Sequence, residues 1–200
     1  MRFPHRIIMT DGPGLLLAIA AAAAVILGLL LRTLFRPHFP KRFRSKVVWV
    51  CDGDTVWVRR FFARRKIRLL GMDAPESEQE YGQLSQEYLD DLIGGQTVEV
   101  EAIGADIYGR WLARIKFRRQ DVSLQMIEAG MAWPYYASFH NLTPGERSAY
   151  RAATFEAKRY GRGLWRSERP EAPWTWRQRN RSLWQRLLRW IRKLLYHGER

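Results

Sequence analysis

The chain has 200 residues, a single cysteine and a formal net charge of +14 at neutral pH. This length accommodates one membrane segment and one domain of about 120 residues, which is large enough to bury a core without metal or disulfide staples. A single cysteine excludes an intrachain disulfide, and with it the class of small disulfide-rich domains.

The positive charge is concentrated at the two ends of the chain. Residues 47–165 contain 16 basic and 16 acidic side chains, whereas residues 1–46 contain eight basic and one acidic, and residues 166–200 contain ten basic and three acidic. Charge in the flanks fits attraction to a membrane surface as well as it fits nucleic acid. The bulk charge therefore does not establish a nucleic-acid substrate.

After a short segment at residues 1–14, the chain contains an apolar run at residues 15–31 with no charge and no proline. A run of this length is at the short end of what spans a bilayer as a helix. A cleaved signal peptide is an alternative, but no small-x-small cleavage site follows the run. A buried soluble helix is another, disfavoured because the run is apolar on every side. The run predicts a single-pass membrane anchor.

A basic linker and a folded domain are predicted next, at residues 32–45 and 46–165. The linker contains Pro37 and Pro40 and few residues suited to a core. In the domain, β-branched and aromatic residues predict five strands, and helical spacing before glycines predicts three helices. The strands are expected at 47–50, 55–58, 66–70, 97–103 and 111–117, and the helices at 80–93, 122–129 and 144–160.

This order of elements predicts an α+β, mainly β fold, a five-stranded and partly open OB-fold barrel with about three helices. Periodicity alone does not distinguish it from other α+β folds. The tail, residues 166–200, contains a basic amphipathic pattern over residues 176–196 that suits an anionic bilayer surface, with 181–196 as the membrane-contacting part. A helix packed on the domain or on a partner is the alternative for the tail.

Three motifs carry the chemistry: Asp-Gly-Asp-Thr at 52–55, Arg-Leu-Leu-Gly-Met-Asp-Ala-Pro-Glu at 68–76, and Tyr-Gly-Arg at 108–110. Each has an ordinary explanation when taken alone. An Asp-Gly pair between strands is a common hairpin turn, Asp-Ala-Pro-Glu is a common helix start, and a single arginine is usually a solvated surface residue. The order and spacing of all three make those explanations improbable together.

The side chains of these motifs match the requirements of phosphodiester hydrolysis. Asp54 and Asp73 are carboxylates at strand ends, and hard cations prefer such oxygen ligands. Glu76 follows a proline-fixed turn, from which it can act on a bound water. Arg68 and Arg110 are fork-shaped donors that match phosphate oxygens. Cations and arginines placed in this way stabilise the charge that develops during phosphoryl transfer.

Over residues 47–165 the sequence resembles the staphylococcal-nuclease-like, or thermonuclease, domain family. The resemblance rests on the three motifs in this order, supported by Val122 with Gly130 and by the closing Gly-Arg-Gly-Leu-Trp at 161–165. It implies an OB-fold barrel, one calcium ion and hydrolysis of DNA or RNA. It also implies export from the cytoplasm, whereas the positive-inside rule places the domain inside. We expect the domain on the outer side of a bacterial inner membrane.

The resemblance assigns a role to each matched position. Asp54 and Asp73 would ligate calcium through their carboxylates, and Ala74, where the family often has threonine, through its backbone carbonyl. Asp52 would lie near the metal without ligating it. The remaining catalytic set would be Glu76 as general base or water-orienting residue, with Arg68 and Arg110 on the phosphate.

Some positions depart from the best-known member of the family, which packs two tyrosines, at i and i+2, on the nucleotide. Here Tyr136 matches the first, but Ser138 occupies the second, and Tyr135 is a possible substitute. Ile107 replaces a lysine before the Tyr-Gly-Arg motif, and the loop after Glu76 is shorter. These changes leave the catalytic set complete and bear on base preference and on the choice between DNA and RNA.

Three alternatives to a membrane-anchored calcium-dependent nuclease stay open at this point. The domain could be a non-catalytic OB-type binding module, although all the acidic residues are present. It could be a membrane scaffold with a vestigial nuclease core, or a structural domain that binds calcium only for stability. The sequence indicates no obligate protein partner.

Overall fold

The computed structural model describes residues 21–28, 42–106 and 108–180, in two compact units that comprise Met1–His38 and Phe39–Arg200. In the first unit, residues 21–28 are helical (α1) and exposed. The rest of the predicted span at 15–31 lies outside the described residues, as does the predicted membrane-contacting tail at 181–196. None of the described helices combines the length and the apolar character that crossing a bilayer requires.

The second unit contains the remaining strands and helices. The strands are β1 (Phe43–Asp52), β2 (Thr55–Arg60), β3 (Ala63–Leu69), β4 (Met72–Asp73), β5 (Thr97–Ala105), β6 (Trp111–Phe117), β7 (Gln120–Asp121) and β8 (Trp133–Pro134). The α-helices are α2 (Gly82–Ile93), α3 (Val122–Glu128), α4 (Pro144–Arg159) and α5 (Pro173–Arg179). Short 3-10 helices cover Tyr136–Asn141 and Gly163–Arg166.

Five strands close into a barrel in the order β3-β2-β1-β5-β6. Neighbours along this order are antiparallel, and β3 pairs with β6 in parallel, Ile67 opposite Trp111 and Leu69 opposite Ala113. The predicted five-stranded α+β barrel is confirmed. It is closed rather than partly open, because the parallel β3–β6 pairing joins the two strands that would otherwise be edges.

The core of the barrel follows from the alternation of apolar side chains along its strands. In β5, Val98 and Val100 are buried while their neighbours Thr97 and Glu99 are exposed. In β2, Val56 and Val58 are buried on either side of a partly exposed residue. Strands with period-two burial place one face in the core and the other in water. Helices cover part of the outside of the barrel: α2 packs on β1, and α3 packs between β6 and α4.

Local capping fixes where the helices on this layer begin. Asp121 caps α3 by accepting hydrogen bonds from the backbone N–H groups of Ser123 (2.8 Å) and Leu124 (3.2 Å). Thr143 and Glu146 form a reciprocal capping box at the start of α4, with Pro144 in its first turn. Buried Tyr150 of α4 donates to the second oxygen of Asp121 at 3.1 Å, which joins the two helices.

Helix α5 was not predicted as a separate element, and it packs on the domain. Before α5, the backbones of Gly163 and Gly130 are in close contact. The N–H of the next residue, Leu164, donates to the carbonyl of Gly130 at 2.9 Å. Gly130 has φ 70°, and a Cβ there would lie 2.1 Å from the carbonyl oxygen of Arg162. Only glycine fits this approach. Beyond it, Trp174 of α5 packs edge-on against Trp133, with ring centroids 5.7 Å apart.

Candidate functional site

A cavity of about 650 Å³ opens at the end of the barrel where β2 and β6 begin and β3 ends. Its lining combines carboxylates, guanidinium groups and two tyrosines, in contrast to the apolar barrel interior beneath it. The lining includes Asp52, Asp54, Lys66, Arg68, Ala74, Glu76, Asp106, Tyr108, Arg110, Tyr135, Ser138 and Arg177. The structure thus brings side chains from all three sequence motifs to one place.

The turn between β1 and β2 places the first carboxylate. The backbone N–H of Asp54 donates to the Asp52 side chain at 3.0 Å, which tightens the turn. Gly53 lies against α2, since a Cβ at this position would be 2.1 Å from Ser85 Oγ. With only hydrogen at that position, the turn can press inward and bury the Asp54 side chain.

Arg68, on β3, joins the two buried carboxylates that were predicted to ligate metal. Its Nη1 donates to Asp54 Oδ1 at 2.9 Å and its Nη2 to Asp73 Oδ1 at 2.5 Å. Asp73 reaches this position because β4 pairs with β8, which places it opposite Trp133. One guanidinium therefore fixes the spacing of two carboxylates, one from the β1–β2 turn and one from β4.

The Asp-Ala-Pro-Glu segment is held between the first carboxylate and α2. The backbone N–H of Ala74 donates to Asp54 Oδ2 at 3.2 Å. Pro75 is buried, and the N–H of Glu76 donates to the side-chain oxygen of Gln79 at 3.2 Å. The Glu76 side chain is 38% exposed, so it projects from a fixed backbone into the cavity, where water has access.

Arg110 enters the cavity from the start of β6 and is oriented by Asp106. Its Nε donates to Asp106 Oδ2 at 2.7 Å, and its backbone N–H donates to Oδ1 of the same residue at 3.0 Å. Its Nη1 also reaches the hydroxyl of Thr55 at 3.3 Å, which in turn donates to Asp54 at 2.8 Å. A hydrogen-bonded chain therefore links Arg110 to the carboxylate of Asp54.

The two tyrosines differ in position. Tyr135 lines the cavity, and its ring lies near Trp174 with centroids 6.4 Å apart. Tyr136 does not line it, and packs instead against Phe139 at 4.9 Å. Ser138, at the position of the second family tyrosine, lies in the lining and is buried. Tyr135 is therefore the better placed of the two to meet a base.

Arg177, on α5, is the site residue that the sequence did not reveal. Its guanidinium donates two hydrogen bonds to Asp73, from Nη2 to Oδ2 at 2.7 Å and from Nη1 to Oδ1 at 3.3 Å. Its Nη1 also donates to Glu76 Oε1 at 2.6 Å. The helix is held in place by its Trp174 and by Gln79, whose side chain donates to the carbonyl of Glu171 at 2.6 Å. The sequence offered one signal, a proline-initiated helix start at Pro173 followed by two tryptophans.

Burial and charge act against each other on the ionisation of these groups. Burial raises the pKa of Asp54 to about 7, and the guanidinium of Arg68 opposes that rise. Burial lowers the pKa of Arg68, but the charges of Asp54 and Asp73 more than offset it. The pKa of Arg177 is likewise raised, since its bonds to Asp73 and Glu76 outweigh burial. Both guanidinium groups stay charged and can neutralise anions in the cavity.

The donors at this site fit a hard divalent cation. Asp54 and Asp73 offer carboxylate oxygens that the bridging guanidinium of Arg68 keeps close together. The residues that line the cavity include no histidine or cysteine. Oxygen-only sets of this kind suit calcium or magnesium, with water completing the shell. Among residues 21–28, 42–106 and 108–180, no group of three or more acidic, histidine or cysteine side chains is arranged to hold a metal. Any metal here would therefore depend on two carboxylates, a backbone carbonyl and water.

The chain matches the family profile described as staphylococcal nuclease homologue over residues 66–167. The chain belongs to the staphylococcal nuclease family. This confirms the resemblance drawn from the three motifs. Arg177 lies ten residues beyond the matched range, so α5 adds a cavity residue from outside it.

Three relatives illustrate the match. An uncharacterized endonuclease of Escherichia coli O157:H7 is 37% identical over 136 residues, covering 68% of this chain and 85% of the relative. An uncharacterized endonuclease of Haemophilus influenzae is 34% identical over 137 residues, covering 68% and 74%. A micrococcal nuclease of Shigella flexneri is 32% identical over 149 residues, covering 70% and 83%.

Proposed function

We propose that this protein is a calcium-dependent nuclease that hydrolyses phosphodiester bonds of DNA or RNA in the barrel-end cavity. The observation that carries the proposal is the meeting of Asp54, Asp73, Glu76, Arg68 and Arg110 around one cavity. The family and the names of the relatives support a nuclease, and the oxygen-only donor set supports calcium.

In this proposal, Asp54 and Asp73 hold calcium through their carboxylates and Ala74 through its backbone carbonyl, with Asp52 nearby. Calcium bound there supplies a Lewis acid that polarises the phosphoryl oxygens. Arg68 and Arg110 donate hydrogen bonds to the non-bridging oxygens of the scissile phosphate and gain strength as charge develops on them. To contact phosphate, Arg110 shares or exchanges its present bonds to Asp106, and Arg68 does the same with its bonds to the two metal-binding carboxylates.

Glu76 supplies the proton transfer. A carboxylate oxygen of Glu76 orients a water and accepts its proton as the water oxygen forms a bond to phosphorus, while the opposite phosphorus–oxygen bond breaks and its electron pair goes to the leaving oxygen. Arg177 acts as a positioning residue, because its fork holds Glu76 and Asp73 in one arrangement. Tyr135 is placed to stack on a base beside the cavity.

We also propose a single-pass membrane anchor at residues 15–31, with the nuclease domain on the outer side of a bacterial inner membrane. The support is the uncharged apolar run, whose length suits a short bilayer span. Residues 181–196 would add a second, peripheral contact through their basic amphipathic pattern.

The nuclease proposal is tested by hydrolysis of single-stranded DNA, double-stranded DNA and RNA by the full chain in neutral detergent. The reactions are run with calcium, with magnesium and with chelator, for the wild type and for Glu76→Gln. We expect calcium-dependent cleavage that Glu76→Gln abolishes while thermal unfolding and calcium binding are preserved. A Glu76→Gln variant that cleaves at the normal rate would overturn the role of Glu76. A folded wild type that binds calcium and cleaves none of the substrates would favour the binding-module alternative.

A further inference from the structure

The hairpin between β2 and β3 ends in two adjacent phenylalanines that are fully exposed. Phe61 is 81% exposed and Phe62 is as exposed as in an extended peptide. Arg60 pairs with Ala63, so the two aromatic residues alone form the turn. Single exposed apolar residues are common on surfaces, but two large aromatic rings at the apex of a projecting hairpin form a contact site that water does not favour.

The turn has a sequence that local backbone preference does not explain. Two-residue hairpin turns favour Asn-Gly or similar pairs, because at least one residue needs a positive φ. Here Phe61 has φ 50°, a conformation that bulky residues rarely adopt. The aromatic side chains therefore occupy the apex although a smaller residue would fit the turn better.

Along residues 59–66, on either side of this apex, the charge is entirely positive. Five of the eight residues at 59–66 are basic and none is acidic. Arg59 lies directly opposite Arg64 in the strand pairing, and like charges in that position repel. Neither forms an ion pair with any carboxylate in the described part of the chain. An anionic partner would relieve the repulsion.

The remaining arginines at the tip lie against aromatic rings. The Arg60 guanidinium lies 4.6 Å from the ring centre of Phe43 and 5.2 Å from that of Phe61. Arg65 lies 5.8 Å from the ring of Trp111. The tip therefore places apolar rings next to guanidinium groups. This combination binds at the boundary between lipid headgroups and acyl chains.

The distance of the tip from the cavity also favours a membrane, rather than the nucleic acid bound in the cavity, as the partner of the tip. Thr55 and Arg68 form the cavity end of the same hairpin, and Phe61 lies six residues away, about 20 Å along the strands. Phe43, the first residue of β1, lies beside the tip. The apolar run at 15–31 precedes β1 in the sequence, and β1 begins at the tip end of the domain.

We infer that the tip formed by residues 59–66 is a docking surface for an anionic lipid bilayer, in which Phe61 and Phe62 enter the headgroup region and the arginines bind lipid phosphates. This orientation turns the cavity away from the membrane and toward incoming nucleic acid. The inference is independent of the nuclease chemistry and complements the proposed anchor.

The test measures the depth of a spin label at position 62 in the full chain. Cys51, the single cysteine, is replaced by serine, and Phe62→Cys is labelled with a nitroxide. Tyr108→Cys, an exposed position at the cavity, is the matched control. The proteins are reconstituted into nanodiscs of phosphatidylcholine with about 30% phosphatidylglycerol, a leaflet charge that attracts basic segments. Chelator is present so that calcium does not bridge protein and lipid.

We expect the label at 62 to be accessible to oxygen and protected from a water-soluble nickel complex, and the label at 108 to be accessible to nickel. Adding Arg59→Gln and Arg64→Gln, or using pure phosphatidylcholine, should return the label at 62 to water. A label at 62 that stays accessible to nickel in anionic discs would overturn the inference. So would a label that becomes protected only when a DNA oligonucleotide is added, which would identify a nucleic-acid surface.

The same proteins, assayed for DNA hydrolysis with calcium in place of the chelator, separate this inference from the others. A chain that does not associate with the anionic discs would overturn both the docking surface and the anchor, whatever its activity. DNA hydrolysis by the Phe62→Cys protein should match that of the Cys51→Ser parent, because the tip lies outside the cavity. Loss of activity in both proteins would concern the nuclease proposal alone.

Discussion

The two ends of the β2–β3 hairpin are both rich in arginine, yet they provide opposite environments. At the cavity end, Arg68 is largely buried and joined to two carboxylates, and Arg177 from α5 binds one of them, Asp73. At the tip, Arg59 and Arg64 are exposed and face each other without a described carboxylate partner. The environment, rather than the residue type, decides what each arginine can do. Carboxylates hold the first set in place, which suits the proposed binding of one phosphate, and the second set is exposed, which suits the proposed contact with a membrane surface.

After that of Arg68, the largest effect that sharpens this comparison is expected from Arg177. Arg177→Ala removes the fork that holds Asp73 and Glu76, and loss of such a supporting contact typically costs about 10–100-fold in activity or metal affinity. We expect kcat to fall by that factor, with partial rescue in Arg177→Lys and little change in melting temperature. The control is Arg179→Ala on the same helix, because Arg179 pairs with Glu171 outside the cavity lining. Equal losses in both variants would show that α5 contributes only stability.

A smaller effect of opposite sign is expected at the tip. Replacing Arg59 and Arg64 together by glutamine removes a repulsive cross-strand pair, so the free energy of unfolding in detergent should rise by about 0.2–1 kcal/mol. The measurement is urea unfolding without anionic lipid. A loss of stability would mean that the tip arginines make favourable contacts within the protein, which would remove one argument for an anionic partner.

The smallest effect concerns the pH dependence of the Asp106–Arg110 pair. Burial is the largest single influence and raises the pKa of Asp106, but the hydrogen bonds from Arg110 and Tyr108 and the charge of Arg110 together lower it overall. A carboxylate with a lowered folded-state pKa adds stability above its unfolded pKa, about 3.9, and loses it as the pH falls through the folded value. The melting-temperature advantage of the wild type over Asp106→Asn should therefore shrink in acid. A constant difference across this range would contradict the pairing.

Much of the barrel was predictable because its strands alternate apolar and polar residues. Strand β6 has the predicted bounds, and β5 is two residues longer. Strand β3 begins at Ala63 rather than at the predicted residue 66, because the turn before it contains no glycine, asparagine or proline to mark it. The aromatic tip was therefore not anticipated as a turn.

The candidate site was predictable where its residues lie in short motifs and not where they meet through the fold. Asp54, Asp73 and Glu76 come together because of the β1–β2 turn and the β4–β8 pairing, and the motifs indicated this. Arg177 is more than 100 residues from its partners along the chain, so no local pattern connects them. Its place depends on the docking of α5, which sequence periodicity does not report.

The most direct test compares two arginines on one strand. Arg64 and Arg68 both lie on β3, four residues apart, and each is replaced by glutamine. The rate of calcium-dependent DNA hydrolysis is then measured for the full chain in neutral detergent. We predict that Arg68→Gln lowers the rate by at least about 10²–10³, the cost of one positioned charge on the transition state, while Arg64→Gln leaves it unchanged. A normal rate in Arg68→Gln, or an equal loss in both variants, would contradict the separation of a catalytic end from a membrane-facing tip.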